Sequence, residues 1–539
     1  MDLQKLLKEK IVTAFEELGV SLTINDVVIE HSKDKSHGDY ATNVALKYSK
    51  MLGKNPRDAA NEITNLINKD GIEKIEIAGP GFINFFMKHD SLQGVVKKII
   101  SENENYGRGE KQNKRINVEF VSANPTGTLH VGHARGAAIG DVICRLYEFA
   151  GFNVTREYYI NDAGSQIDNL ALSLQARYRE CMGLDFEIPE DGYQGADVQQ
   201  IARKVYEEYG DSLLNKENVI EFFKDLGIKL LLNKIIEDLN YFRVKFDVFS
   251  SERAVRANNA VEKELEFLAN NIYDAEGAKV LKTSDYLDDK DRVIVKSNGD
   301  YTYFLPDIVY HVNKLSRNFD QLIDVLGADH HGYINRMKSA LMMHGYDKDI
   351  LHVELIQMVR LVRNGEEVKM SKRTGNALTL RELCDDVGVD AARYFFAMRS
   401  ASMHLDFDLG LALEQSSSNP VYYAQYAHAR LCSILEQAKD IELDIEAKHA
   451  SMKSEIDLLK HLINFSNEVK NAANEKAPYK ITNYIHKLAE LIHAFYTECR
   501  VIDRDNLEVT ASRLALCKSA QIVLKNALHL IGVEAPTHM

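Results

Sequence analysis

The sequence contains no run of 18 apolar residues free of charge, so nothing in it reads as a membrane span. Its six cysteines (Cys144, Cys181, Cys384, Cys432, Cys499 and Cys517) lie far apart and form no Cys-x-x-Cys pair. That distribution suits neither a disulfide framework nor a zinc ribbon, and all six read as core or incidental thiols. Positive charge is in deficit as well: 66 Lys+Arg against 80 Asp+Glu leave a net charge of −14. A protein that binds nucleic acid by being basic everywhere is excluded, while local binding stays open. Residues 421–539 hold 14 Lys+Arg against 15 Asp+Glu, so the first 420 residues carry −13 and the tail repels a polyanion least. The opening stretch, MDLQKLLKEKIVTAFEELGV, spaces its apolar residues helically among charges of both signs and lacks the apolar centre of a secretion signal. The expected location is the cytoplasm. There is no internal repeat and no low-complexity segment.

What is present is a soluble globular composition, 45% hydrophobic and 27% charged, in a chain of 539 residues that exceeds what one core serves. In the first part, HGDYATNVALKYSKMLGKNPRDAANEITNLI reads as a turn and two helices, with Asn55-Pro56 as a helix start. IEKIEIAGPGFINFFM reads as two strands about a Gly79-Pro80-Gly81 turn, and NYGRGEKQNK (105–114) as a polar linker. RINVEFVS then opens a strand, and Ile139, Val142, Ile143, Leu146 and Phe149 recur at helical spacing behind it. FNVTREYYI is a further strand, and NDAGSQIDNLALSLQARYR a further helix, capped near Asn161 or Asp162. This alternation predicts a doubly wound parallel sheet of Rossmann type. Residues 197–242 read as a helical insertion, and strand patterns return at RVIVKS, YTYFL, QLIDVLG and HVELIQMVRLV. From Leu378 onward the period is helical throughout. The expected fold class is thus α/β, with a small α/β domain over 1–110, the parallel-sheet domain with its helical insertion over 111–377, and an all-α domain over 378–539.

One stretch is an odd way to begin a helix: VSANPTGTLHVGHARGAAIGD, residues 121–141. His130 and His133 flank Gly132 where a strand hands over to a helix. In an open α/β sheet that place offers free N–H groups and a positive dipole end to an anion. Imidazoles three apart point to one side, and a glycine between them lets a flat base and ribose approach the backbone. A nucleoside triphosphate fits. Two plainer readings stand beside it: histidines that merely cap the helix, and a zinc pair, which needs a third ligand and usually a spacing of four.

A second constellation lies about 240 residues downstream, in GEEVKMSKRTGNALTL. Lys369, Met370, Ser371, Lys372 and Arg373 place three cations within five residues, a clamp for phosphate oxygens. Alone it reads first as a solvated basic turn. Paired with the histidine motif on one sheet, the clamp reading prevails.

HVGH resembles the HIGH signature, and KMSKR the KMSKS signature, of class I aminoacyl-tRNA synthetases, in that order and separation. Within the class the chain resembles the arginyl-tRNA synthetases along nearly its whole length, through GDYATNVALKYSK, GPGFINF, EFVSANPTGTLHVGH, DAARYFFAMRS and NPVYYAQYAHAR. The one departure in the lysine motif is Arg373 in place of serine.

The resemblance implies arginine–tRNA ligation: L-arginine and ATP, with Mg2+, form an adenylate, and the arginyl group passes to its tRNA. It implies that His130, Gly132 and His133 contact ATP together with Lys369, Met370, Ser371 and Lys372, and that His130, His133, Lys369 and Lys372 act in catalysis. It assigns the guanidinium to Tyr303 and Asp307 of YFLPD, and the α-amino and carboxylate end to Glu119, Ser122 and Asn124. Glu119 also reads as a buried pair partner and Tyr303 as a core aromatic. LGADHHGY implies a further strand-end contact through Asp329 and His330. Arginine tRNA would meet Tyr40 and Asn43 in the first domain and Tyr422, Tyr423, Tyr426 and Arg430, near His428, in a DALR-type anticodon-binding tail; tyrosines at helical spacing serve equally as core. No resident metal site, no membrane partner and a monomeric state are expected. The rivals are a class I synthetase of another specificity, disfavoured by the lack of an inserted editing domain and of zinc cysteines, a small-molecule nucleotidyltransferase, and a non-catalytic tRNA-binding relative.

Overall fold

The structure, a computed structural model, describes residues 3–32, 37–363, 365–368 and 378–539. Near the N-terminus the helix Leu3–Glu17 buries Leu3, Leu7, Ile11, Ala14 and Phe15, one stripe of a 3.6-residue period. That stripe faces a core shared with an antiparallel four-stranded sheet, in the order Glu30–His31, Tyr40–Thr42, Phe82–Met87, Ile72–Ala78. The stretch around Tyr40, read from sequence as a turn, is one of its inner strands. Asn55 caps the helix Pro56–Leu66 by accepting from the Asp58 amide at 2.9 Å, as its Asn-Pro start foretold.

The polar linker is packed rather than free. Tyr106 is buried and donates its hydroxyl to the Leu462 carbonyl at 3.1 Å. The Gly109 amide donates to Phe149 O at 2.9 Å, and a Cβ on Gly109 would strike the Ala150 carbonyl. Glycine lets this strap lie flat against its neighbours, which composition alone does not reveal.

Five parallel strands make the central sheet: β1 (Arg115–Glu119), β2 (Asn153–Ile160), β3 (Val248–Ser251), β4 (Gln321–Gly327) and β5 (Leu351–Ile356), in the order β5-β4-β1-β2-β3. This is the doubly wound arrangement expected, and its switch point falls between β1 and β4. The helices Ala196–Tyr209 and Val219–Tyr241 pack on Ser165–Cys181 around Leu170, Leu174, Tyr178 and Phe223, a core of their own. The Ser165 helix starts after Gly164 at φ +89, not at an Asn or Asp cap; Asp162 instead accepts from Ser251 Oγ at 2.6 Å and the Arg253 amide at 3.0 Å.

Several strand readings change. YTYFL opens the helix Phe304–Ser316, with Pro306 in its first turn, where a missing N–H costs nothing. RVIVKS supplies Arg292–Val295 to a separate antiparallel sheet with Ile272–Ala275 and Ala278–Leu281. HVELIQMVRLV splits into β5 and a second strand, Val359–Arg363, which pairs in parallel with Leu405–Asp408 inside the region expected to be wholly helical. β3 carried no sequence expectation.

Beyond Asn419 the chain is helical: Pro420–Gln437, Lys453–Ile463, Phe465–Glu475, Pro478–Glu498 and Leu507–Leu530. Arg393, fully buried, ties this tail to the sheet domain. It donates to Asp141 on the helix after β1, to Phe242 O at 2.9 Å and to Ile531 O at 3.0 Å. Among the described residues no helix is long and apolar enough to cross a membrane.

Candidate active site

Past Glu119 the backbone turns into the left-handed region twice, at Val121 (φ +67) and Ser122 (φ +39). A β-branched residue there is a steric outlier, and such strain persists where the surroundings over-determine it. Its effect is local and specific: Ser122 Oγ donates to Glu119 Oε1 at 2.9 Å and accepts from the Tyr159 amide at 3.1 Å. Asn124 follows, bonded to Gln166 Oε1 at 2.7 Å. Glu119, Ser122 and Asn124 therefore stand together at the carboxyl end of β1, as expected.

Val131–Phe149 is the next helix, and His130 is its N-cap. His130 Nδ1 accepts from the Gly132 amide at 3.1 Å, the His130 amide donates to His133 Nδ1 at 3.3 Å, and the two rings stack 3.8 Å apart. Capping is thus real, yet it does not use up the imidazoles. With both Nδ1 atoms accepting, each neutral ring keeps its proton on Nε2 as a free donor. Burial lowers the pKa of both; His133 falls to about 4, with His130 beside it contributing. A Cβ on Gly132 would come within 2.9 Å of the His130 ring, so the glycine first makes room for that ring.

The lysine loop residues Lys369, Met370, Ser371, Lys372 and Arg373 lie outside the described residues. The segment that follows is pinned to the histidine motif: Val131 N donates to Leu378 O at 3.3 Å and Leu380 N to Leu129 O at 2.8 Å. Arg135, two residues beyond His133, holds Gln357 O, Met403 O and Ser400 O, each at 2.8 Å.

A cleft of about 960 Å³ opens at the switch point, lined among others by Glu119, Ser122, Asn124, His130, Gly132, His133, Tyr159, Asp307, Tyr310, His311, Asp324, Asp329, His330, Tyr333, Met358 and His404. Its floor comes from the Phe304–Ser316 helix, whose Asp307, Tyr310, His311 and Lys314 fall at i, i+3, i+4 and i+7, one face. Asp307 is recessed there, and burial raises its carboxyl to about 6; Glu119 and Asp324 push the same way, while His311 and the Tyr333 hydroxyl oppose. Tyr303 is not brought to this floor: it sits at the helix N-cap, 88% exposed, and Tyr333 takes the place beside Asp307. Tyr159, Tyr310, His311, Lys314, Asp324, Tyr333 and His404 escaped the sequence reading. For Tyr310, His311 and Lys314 the signal was the spacing on the floor helix, hidden by taking YTYFL as a strand; the other four come from outside that helix and had no local signal.

Elsewhere, Arg430 lies 5.2 Å over the ring of Tyr426 and 4.0 Å over Tyr496, Tyr422 stacks on Tyr426, and Tyr423 meets His493 at 4.6 Å. His428 is buried and bonded to Pro536 O, away from that surface. In the first domain Tyr40 is buried and Asn43 exposed.

Comparison with known proteins gives three family matches in chain order: "Arginyl tRNA synthetase N terminal domain" over residues 2–87, "tRNA synthetases class I (R), catalytic domain" over 95–415, and "DALR anticodon binding domain" over 424–539. The arginine–tRNA ligase of Bacillus subtilis is 50% identical over 550 aligned residues, covering 100% of this chain and 99% of that protein. The arginine–tRNA ligase of Bacillus velezensis is 49% identical with the same coverage. In fold, the arginyl-tRNA synthetase of Thermus thermophilus superposes with a TM-score of 0.78 at 21% identity, covering 100% of both chains. With the strained turn, the paired histidines and the acidic floor set at one switch point, these matches fix the family: the chain belongs to the arginyl-tRNA synthetases of class I.

Proposed function

We infer that this chain is an arginine–tRNA ligase that activates L-arginine with ATP and transfers it to tRNA. The observation that carries the reading is a helix start bearing two neutral Nε2–H donors beside a recessed carboxylate, on one cleft at the β1/β4 switch point. The first half suits phosphate oxygens and the second a guanidinium, whose planar fork of donors calls for a carboxylate.

In the first step an arginine carboxylate oxygen attacks the α-phosphorus of ATP. A P–O bond forms as the bond to the β-phosphate breaks, and pyrophosphate leaves. Catalysis of such a step is chiefly placement and charge stabilisation. Asp307 fixes the guanidinium end with Tyr333 beside it, and Glu119, Ser122 and Asn124 orient the α-amino and carboxylate end. His130 and His133 donate to triphosphate oxygens over Gly132. By the family resemblance Lys369 and Lys372 neutralise the charge that builds on the leaving pyrophosphate, and Met370 and Ser371 contact ATP with them. In the second step a hydroxyl of the terminal tRNA ribose attacks the carbonyl carbon and AMP departs.

Mg2+ would enter with ATP, held by phosphate oxygens; among the described residues no three His, Cys, Asp or Glu side chains converge on a metal position. The tRNA reading places splayed anticodon bases on Tyr422, Tyr423, Tyr426 and Arg430, and the tRNA elbow near the exposed Asn43, with Tyr40 buried in the strand before it. Domain limits near residues 110 and 377, a monomer and a cytoplasmic location complete the proposal. The test is charging of total tRNA with each amino acid in turn. Arginine alone should be attached. A different amino acid would mean another class I specificity, and nucleotide transfer without charging a nucleotidyltransferase.

A further inference from the structure

His311 and Lys314 lie beneath the cleft, and no step above uses them. Lys314 is fully buried, its ammonium set between a Glu119 carboxylate oxygen and Asp324 Oδ1, the latter at 2.9 Å. His311 is buried too. Its Nε2 lies 2.7 Å from Asp324 Oδ2 and its Nδ1 2.8 Å from the backbone carbonyl of Asp307. A carbonyl and an ionised carboxylate only accept. A neutral imidazole has one N–H and would turn a lone pair on one of them, so these distances fit an imidazolium with two.

The charges then sort themselves. Glu119 and Asp324 face Lys314 and His311, while Glu157 meets Arg317 with both oxygens at 2.8 Å. Asp307 forms no ion pair with any described residue. We propose that His311 and Lys314 are positioning residues for amino-acid selection: by pairing with Asp324 and Glu119 they leave Asp307 as the floor carboxylate that has no salt bridge among the described residues. The site then suits a side chain carrying a single delocalised positive charge at that point. This rests on the reading of Asp307 as the guanidinium acceptor.

The arrangement titrates. Around His311 stand Asp324 from β4, Asp307 and Lys314 from its own helix, Glu119 from β1 through Lys314, and the hydroxyls of Tyr310 and Tyr333. Burial and Lys314 disfavour its charge, but the charge and hydrogen bond of Asp324 together with Asp307 outweigh them and its pKa is raised. Once pH passes that raised value, one of its two contacts becomes repulsive and the seat of Asp307 is disturbed.

The experiment is steady-state charging by the full chain with its tRNA, arginine and ATP varied separately, between about pH 6 and pH 9. In the unaltered chain the KM for arginine should rise on the alkaline side, and in His311→Gln, which keeps a donor but does not titrate, that rise should vanish. His311→Ala and Lys314→Met should raise the KM for arginine by about tenfold or more while the KM for ATP stays within about twofold. Should Lys314→Met not fold, the His311→Gln profile decides. An unchanged pH profile in His311→Gln, or KM values for ATP and arginine that rise together, overturns the inference. Charging of another amino acid by the unaltered chain would instead bring down the reading of Asp307 itself.

Discussion

Asp307→Asn removes one charge and almost no volume, and its cost follows from the site. Burial raises the Asp307 carboxyl from the ordinary 3.8 to about 6, a climb that corresponds to about 3 kcal/mol held against the charged form. At neutral pH the empty site therefore keeps a carboxylate that a bound guanidinium relieves, through charge-assisted bonds of about 1.5–3 kcal/mol each. Asparagine has no charge to relieve and turns part of its amide into a donor facing donors. The preference for arginine over citrulline should fall by roughly 10²–10³-fold, the scale of about 3–4 kcal/mol. Nearly all the loss should lie in the arginine term, since neutral citrulline gains nothing from the carboxylate. The assay is steady-state charging with both substrates at several concentrations. Equal kinetic parameters for arginine in the two proteins would refute the reasoning and move the guanidinium elsewhere on the sheet.

Because the folded pKa of Asp307 is raised, the empty protein gains stability from this group as pH falls through about 6, while arginine loses its acceptor. Arginine KM should climb below about pH 6 as the Tm of the ligand-free chain holds or rises. Lys372→Ala should lower the turnover of arginine activation by about two to three orders of magnitude with little change in arginine affinity; an unchanged rate would break the clamp assignment. His133→Ala should impair ATP use at nearly constant Tm, because its half-buried ring lines the cleft rather than a hydrophobic core; a large drop in Tm with intact kinetics would leave it a cap alone. Exchange of pyrophosphate into ATP should need both arginine and tRNA, and strong exchange in tRNA-free enzyme would point to a different class I member.

The sequence made the sheet domain legible where local period and tertiary role agree. β1, the helix carrying Ile139 to Phe149, and β2 form where their local patterns mark a strand, a helix and a strand. It misled where an apolar run is too short to show its period or pairing is remote. YTYFL is aromatic and apolar enough for a strand, yet Phe304, Leu305 and Pro306 are buried as the first turn of a helix. Leu405–Asp408 is four residues long and owes its extension to Val359–Arg363, far earlier in the chain. The same misreading cost the site. Tyr303 and Asp307 are four apart, but Tyr303 stands at the cap, so the helical face starts with Asp307 and continues to Tyr310, His311 and Lys314. The residues read from motifs on β1 and its following helix needed no such topology, and they converge on the cleft.

Arg393 joins Asp141 to the carbonyl of Ile531, and that bond sets an order of birth. On the ribosome, at about 5–20 residues per second, Asp141 is made tens of seconds before the buried Arg393 that meets it, and the last partner of that arginine comes later still. Through that interval Asp141 has Arg145 and Arg156 beside it but not the fully buried guanidinium that completes its shell. The helix that follows the histidine motif thus gains its buried tie only when residues from three distant regions of the chain are present together.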